Sequence, residues 1–499
     1  MKNNHIAQIV RETAVLADQG YLIVRAQSNQ KWSVRLNNGK IEKMTVDHDQ
    51  GMGVQAWTKN GTSGFACEDR ITRETGTVLV RRAWELAEQN ERYQGEKNKN
   101  IFLAPLVNEG LDVHGESGFD NITPEQIIEK TSQIHQNLLN GTCLSKGTVS
   151  WQTNYFQVED HWWIGRSDGS LVSYTVPRSV IIHIGTVKAD GQVQSMQVHR
   201  SAAGPDLLSS ELDDRILERR AYNRAEFALR VLQAGTISAG SYPLVIDYGL
   251  AKGLAHEAFG HAVESDLLQQ SVLGEKGKLR KNLKIAPETV DIVDGPLLND
   301  WADQPYSANG IPRKNVYIVQ KGVLREQLGD IFSGETGEGI VSDAARTEDY
   351  ASIPLPRMTN IRLIINNTVE LKHSEDLFEE IRSLQEVMQK NKLLEEKDHL
   401  LLLGYRGGQV NTKTGDFVFQ CDGIVNLADP RLTIYKPTIF SGRILSALKA
   451  LKAGVGEEVF DAIGTCGKGG QSVPSSGGSS SYVLLNRDEQ IRLGGDANK

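Results

Sequence analysis

The chain has 499 residues, 39% hydrophobic and 24% charged, an ordinary balance for packed globular domains that excludes a disordered or fibrous protein. Its net charge is −8 and its positive residues are scattered, which argues against a nucleic-acid binder. Four widely spaced cysteines, Cys67, Cys143, Cys421 and Cys466, form no disulfide framework.

No run reaches the ~18 apolar residues of a membrane span, and Arg11, Glu12 and Asp18 interrupt what a secretory leader needs as its apolar core. The expected location is therefore the reducing cytoplasm, without a membrane anchor.

Helical spacing from Ile6 to Ala17 gives way to extended segments at Tyr21–Val24, Trp32–Leu36 and Gly53–Trp57, with turn signals at Asn37-Asn38-Gly39 and Asn60-Gly61. A helix over Glu74–Gln89 should cover this sheet. A second unit is expected from Pro124: a helix to Leu139, strands between Thr148 and Val198 with a turn at Asp190-Gly191, and a charged helix over Glu211–Leu232.

The third unit follows the Gly/Ser-rich stretch Gly235–Ser241. It opens with a short buried strand, Pro243–Asp247, and should add strands at Asn315–Gln320, Ile361–Asn366 and Phe417–Cys421. An amphipathic helix over Glu375–Lys397 is expected to be a solvent-facing cover. Lys276–Lys284 and Ser475–Ser481 read as a solvated basic loop and a flexible loop. The fold class is α+β, with mixed helices and largely antiparallel sheets. Its domains are expected at 1–122, 123–236 and 237–499, the last a large β-rich unit bearing the metal site.

That site rests on His256-Glu257-Ala258-Phe259-Gly260-His261 and, far downstream, Cys466 among glycines. Two imidazoles and a thiolate suit a borderline-soft divalent metal such as Zn2+; three protein ligands leave a fourth position for water, and Glu257 is placed to take that water's proton. Histidines four apart sit about 40° apart around an α-helix, but five apart they splay by about 140°. Joint ligation therefore requires a local π-type turn or a helix end, and Gly260 is a suitable place for it. The plainer reading makes His256 and His261 polar positions on a buried helix, Glu257 a surface carboxylate and Cys466 a small buried hydrophobe. Glu264 and Asp266, one to two turns on, are placed either to hold the distal nitrogen of a ligating histidine or to solvate a helix end. Gly467-Lys468-Gly469-Gly470 lacks the spacing of a phosphate-binding loop and reads as a turn.

Four blocks resemble the TldD/PmbA family of zinc metallopeptidases: Arg35–Gly39 through Gly51–Val54 to Gly64-Phe65; Asp247–Asp266; Pro354–Asn360; and Gly407–Val410 leading to Cys466–Ser472. The resemblance implies that His256, His261 and Cys466 ligate zinc, that Glu257 is catalytic, and that the chain is of the metal-bearing, TldD-type branch. It further implies a peptide or unfolded-protein substrate and either a homodimer or a heterodimer with a metal-free PmbA-type subunit.

Arg357, Gly408 and Gln409 are candidate walls of a peptide channel, Gly408 and Gln409 on a strand edge that accepts an extended chain. The alternative makes Gly407 and Gly408 a bulge and Arg357 a structural ion pair. The serine-rich segment after Cys466 and the long charged helix before Asp398 depart from the family's pattern and point to a specialised member. Competing functions are a peptide-binding subunit with a structural zinc and metal-dependent peptide modification without hydrolysis.

Overall fold

The structure is a computed structural model that describes the chain except for residues 1, 18–19, 94, 96, 98, 112–118, 120–121, 203, 205–210, 332–342, 395–396 and 495–499, so Asp18 and part of the expected helix end at Lys397 lie outside it. It is an α+β architecture of two sheet-built layers.

Helix α1 (Lys2–Ala14) precedes a long hairpin, β1 (Tyr21–Asn37) and β2 (Lys40–Trp57), which turns at Asn38-Gly39, both with positive φ. After β3 (Ser63–Glu68), helix α2 (Arg73–Arg92) starts where the Thr72 side chain accepts from the Thr75 amide. Strand β4 (Asn108–Leu111) is followed by α3 (Pro124–Gly141), opened by a reciprocal Thr123–Gln126 capping box with Pro124 in its first turn. Then come β5 (Thr148–Arg166), β6 (Leu171–Ala189), β7 (Gln192–Ala202) and α4 (Glu211–Gln233).

These strands form one seven-stranded sheet in the order β3-β2-β1-β5-β6-β4, with β7 also on β6. β1 and β5 pair from Ile23↔Arg166 to Asn37↔Gln152, so the boundary expected at residue 122 divides the chain but not the sheet. On one face α1 and α2 pack Val10, Leu79 and Ala83 against Leu22, Val24 and Trp163, while at the far end α3 and α4 cover Val34, Trp151 and Ile181. Elsewhere Ile23, Trp162 and Tyr174 meet Tyr306, Ile311 and Ile331 of the C-terminal part. Arg25, fully buried, clamps this seam by donating to the Ala308 carbonyl at 2.5 Å and to Asn309 Oδ1 at 2.8 Å.

The C-terminal part is built on a twelve-stranded mixed sheet. At its centre Gln471–Leu485 lies between Asn360–Ile365 and β8 (Leu244–Asp247). Helix Leu377–Lys390, capped by Asp376, buries Ile381, Leu384 and Met388 against Leu401, Leu403 and Leu484; it is the expected amphipathic cover, shorter than its charge pattern suggested.

Ser475–Ser481 is not a loop but part of that central strand, with Ser475, Ser476, Ser479 and Ser480 buried. The small residues answer a steric need: a Cβ on Gly477 would lie 1.9 Å from the Ile361 carbonyl oxygen, and one on Gly478 would lie 1.7 Å from that of Val459. The hydroxyls are spent on backbone, Ser476 Oγ donating to the Phe460 carbonyl at 3.2 Å and Ser479 Oγ to that of Leu363. The basic cluster turns a small hairpin, Gly274–Glu275 with Lys278–Leu279, and keeps Lys276, Lys278 and Lys281 exposed.

Candidate metal centre

Buried β8 ends at Asp247, whose Oδ1 accepts from the Leu250 amide at 2.9 Å and so starts helix α5 (Tyr248–Gly253). The helix widens without a break into a π segment, Leu254–Gly260, and closes in a 3₁₀ turn, His261–Val263. The His261 amide donates to the His256 carbonyl, five residues back. This is the local widening that the five-residue histidine spacing requires, and it brings the rings together edge to face with centroids 5.1 Å apart. Gly260 permits it sterically: a Cβ there would meet Met358 Sδ at 1.8 Å.

The thiol arrives on a hairpin whose strand Gly464–Lys468 pairs with the start of Gln471–Leu485, Cys466 opposite Val473. Its two-residue turn, Gly469-Gly470, has positive φ at both positions, so the expected turn is of the I′ kind. Arg357 anchors the hairpin, its guanidinium donating to the Cys466 carbonyl and, at 3.4 Å, to that of Gln471.

Cys466 Sγ lies 3.8 Å from His261 Nε2, and one donor atom each of His256, His261 and Cys466 fall within 4.8 Å of one another. Zinc bonds of about 2.0–2.1 Å to nitrogen and 2.3 Å to sulfur at tetrahedral angles put N and S roughly 3.6 Å apart. The spacing therefore fits. His256 Nδ1 is buried with no hydrogen-bond partner among the described residues, an otherwise costly state for a polar atom.

His261 Nδ1 is held by Glu264 Oε2 at 2.9 Å, which turns Nε2 toward the cluster. Glu264, fully buried, is held in turn by Lys468 Nζ at 2.9 Å; the same ammonium reaches Asp266 Oδ1 at 2.7 Å and the Pro356 carbonyl at 3.0 Å.

The electrostatics prepare the donors. Burial, then the nearby Lys252 ammonium, hold the His256 imidazole well below its usual range, hence neutral. For His261 burial opposes charge, but Glu264 and Cys466 outweigh it and raise it to about 10. Burial also opposes the Cys466 thiolate, and contact with His261 outweighs that, leaving the thiol below its ordinary range. Glu257, half-buried like His261, is pushed above the usual carboxylate range by burial, against the pull of His261 and Lys252.

The structure thus brings together His256, Glu257, His261 and Cys466, with Glu264 behind His261. Arg357 is instead fully buried behind the Cys466 hairpin and faces no open surface. Gly408 and Gln409 begin strand Gly408–Asn411, the edge of a four-stranded sheet, which packs beside the π segment with Gln409 exposed. Gly408 also has a packing role, since a Cβ there would strike the Phe419 ring at 1.9 Å. Two contributors lay outside the sequence reading, and each had a positional signal. Lys468 shares a strand face with Cys466 two residues earlier, and Lys252 shares a helix face with His256 four residues later.

Comparison with known proteins bears on the family of the whole chain. Residues 239–482 match the PmbA/TldA metallopeptidase C-terminal domain and residues 23–87 match the PmbA/TldA metallopeptidase domain 1. The chain is 27% identical over 472 residues to a metalloprotease of Methanothermobacter thermautotrophicus, covering 93% of this chain and 94% of the relative. It is 24% identical to a metalloprotease TldD homolog of Buchnera aphidicola (96% and 93% covered) and 22% identical to a zinc metalloprotease TldD homolog of Saccharolobus solfataricus (91% and 92%). The fold matches that of a putative modulator of a DNA gyrase from Thermotoga maritima, with a TM-score of 0.71, 14% identity and 98% of both chains covered. TldE of Thermococcus kodakarensis gives 0.69 at 12% identity, covering 98% and 99%. By its sequence blocks, its matched domains and its fold, this chain belongs to the PmbA/TldD metallopeptidase family.

Proposed function

We propose that the protein is a zinc peptidase of the metal-bearing, TldD-type branch, acting on unfolded or extended peptides. The observation that carries this reading is the π turn that sets His256 and His261 against Cys466 with Glu257 beside them. His256, His261 and Cys466 would hold zinc, which would supply a Lewis acid for the scissile carbonyl and acidify the attacking water. Glu257 takes the proton from that water and passes it to the leaving nitrogen, work for which a carboxylate raised by burial is suited. Glu264 and Lys468 keep His261 oriented. The Gly408–Asn411 edge offers backbone groups to an extended peptide, with Gln409 exposed on it.

Among the described residues the cluster holds three donors, which favours a catalytic site with a free position over a closed structural one. The assembly that fits is a homodimer or a pair with a metal-free PmbA-type subunit.

The test is mass spectrometry of unstructured peptides incubated with the zinc-loaded protein and with Glu257→Gln. Fragment pairs heavier than their parent by one water should appear, with Glu257→Gln slower by about 10²–10⁴ at full zinc occupancy. Equal activity in the variant would sink the assignment of Glu257.

A further inference from the structure

Against the metal centre, between the N-terminal sheet and α5, lies a cavity of about 330 Å³ whose walls include Met196, Arg224, Lys252, Tyr405, Arg406 and Asp422. Lys252 ties it to the site. It stands one helical turn before His256, and a Cβ on Gly464, two residues ahead of Cys466, would lie 2.9 Å from its Nζ. The charge of Glu257 is felt by both Lys252 and Tyr405.

The walls carry three cations, Arg224, Lys252 and Arg406, against two carboxylates, Asp247 and Asp422. Asp422 Oδ1 is taken by Arg406 Nε at 2.5 Å, and Asp247 accepts from the Leu250 and Gly404 amides at 2.9 and 2.6 Å. Lys252 is only 4% exposed, yet its one hydrogen bond goes to Ser475 Oγ at 3.2 Å, and it makes no ion pair among the described residues. Arg224 is already met by two carboxylates, its Nη2 lying 3.9 Å from Asp247 Oδ2 and its Nη1 3.8 Å from Asp422 Oδ2. Removing a cation from water is costly unless an anion meets it. Lys252 is such an underused cation, and it lines this cavity one helical turn before the candidate base.

We propose that this cavity binds a carboxylate of the substrate through Lys252. The inference rests on the peptidase reading for its orientation: Glu257 protonates the leaving nitrogen, so a carboxylate lodged beside Glu257 belongs to the fragment that carries that nitrogen. The C-terminus of a short leaving fragment and an acidic side chain within it offer the same chemistry.

The experiment measures kcat/KM of the zinc-loaded full chain on peptides identical except for a C-terminal acid or a C-terminal amide. A third peptide is an amide with glutamate beside its terminus. An advantage of about tenfold or more for the acid supports the terminal carboxylate; an equal advantage for the glutamate amide supports the same cavity with a side-chain carboxylate. Lys252→Met, checked for zinc content, should reduce the advantage to near one, and Lys252→Arg should restore part of it. Anisotropy of the same labelled peptides on Glu257→Gln separates the two readings. Tighter binding of a carboxylate peptide, lost in a Glu257→Gln/Lys252→Met double variant, supports the cavity even if wild type hydrolyses nothing, an outcome that would overturn the peptidase reading alone. Equal binding of all three peptides, or a preference that survives Lys252→Met, would overturn the carboxylate site.

Discussion

Gly260→Ala is a single-methyl perturbation of the turn that makes the site. Residue 260 has φ −58° and ψ −57°, so alanine is conformationally acceptable there and by helix propensity would even gain about 1 kcal/mol. The obstacle is packing, because the new Cβ would lie 1.8 Å from Met358 Sδ, 2.8 Å from Cε and 3.0 Å from Cγ. Met358 is fully buried and has little freedom to retreat: its carbonyl accepts from Arg346, the preceding Arg357 holds the Cys466 hairpin, and the following Thr359 amide is bound to Asp294 at 2.9 Å.

Overpacking of this kind costs about 1–3 kcal/mol, and subtracting the propensity gain leaves up to about 2 kcal/mol. The metal-free protein can shed that strain by letting the π segment relax, so the cost should appear in zinc affinity as a loss of up to about 30-fold. Competition with a chromophoric chelator measures it. Shortening the opposing side chain in Gly260→Ala/Met358→Ala should recover most of the affinity, although Met358→Ala alone costs about 2–5 kcal/mol of stability. Unchanged zinc affinity in Gly260→Ala, or no recovery in the double variant, would refute the claim that the glycine exists to seat the π turn against Met358.

Loss of the thiolate in Cys466→Ser should lower zinc affinity by at least about 100-fold. Lys468→Met, which only frees Glu264 behind His261, should cost about 10–100-fold; the same chelator assay ranks the two, and the reverse order would overturn the assigned roles. Burial pushes His183 down to about 3, so it stays neutral in the folded state while the unfolded chain takes up a proton below about 6.5. The unfolded state then binds more protons, and the His183 contribution is complete above pH 6.5 and declines as pH falls toward 3, by about 2 kcal/mol at pH 5. Urea unfolding of wild type and His183→Gln at both pH values tests this, the variant losing that part of the slope; equal slopes would refute it. Hydrogen exchange should find amides 478–485 among the most protected in the chain, and Gly477→Ala, driven into the Ile361 carbonyl, should fail to accumulate as soluble protein; rapid exchange there would restore the loop reading.

Much of this molecule is legible in short-range pattern. Hydrophobic periodicity, capping residues such as Thr72 and Thr123, and glycine-bearing turns are local signals, and the helices and hairpins appear close to where they were expected. The five-residue separation of His256 and His261 carries its own geometric demand, which a π turn satisfies. By contrast, the serine-rich strand misled because its composition answers neighbours more than a hundred residues away: Ile361, Leu363 and Thr359 select small side chains there, and a sequence window cannot show them.

The sequence alone therefore determined the α+β class, the donor types and the spacing that forces the turn, since these depend on residues that share one helix or one hairpin. Tertiary structure alone decided that Cys466 faces His261, that Arg357 lies behind the thiol rather than in a channel, that Lys468 steadies Glu264, and that Lys252 lines a cavity with a surplus of positive charge. Each of these joins segments about a hundred residues or more apart, or depends on what fills the space between them. Their strength comes from burial and charge brought together by packing, which exist only once the chain has folded.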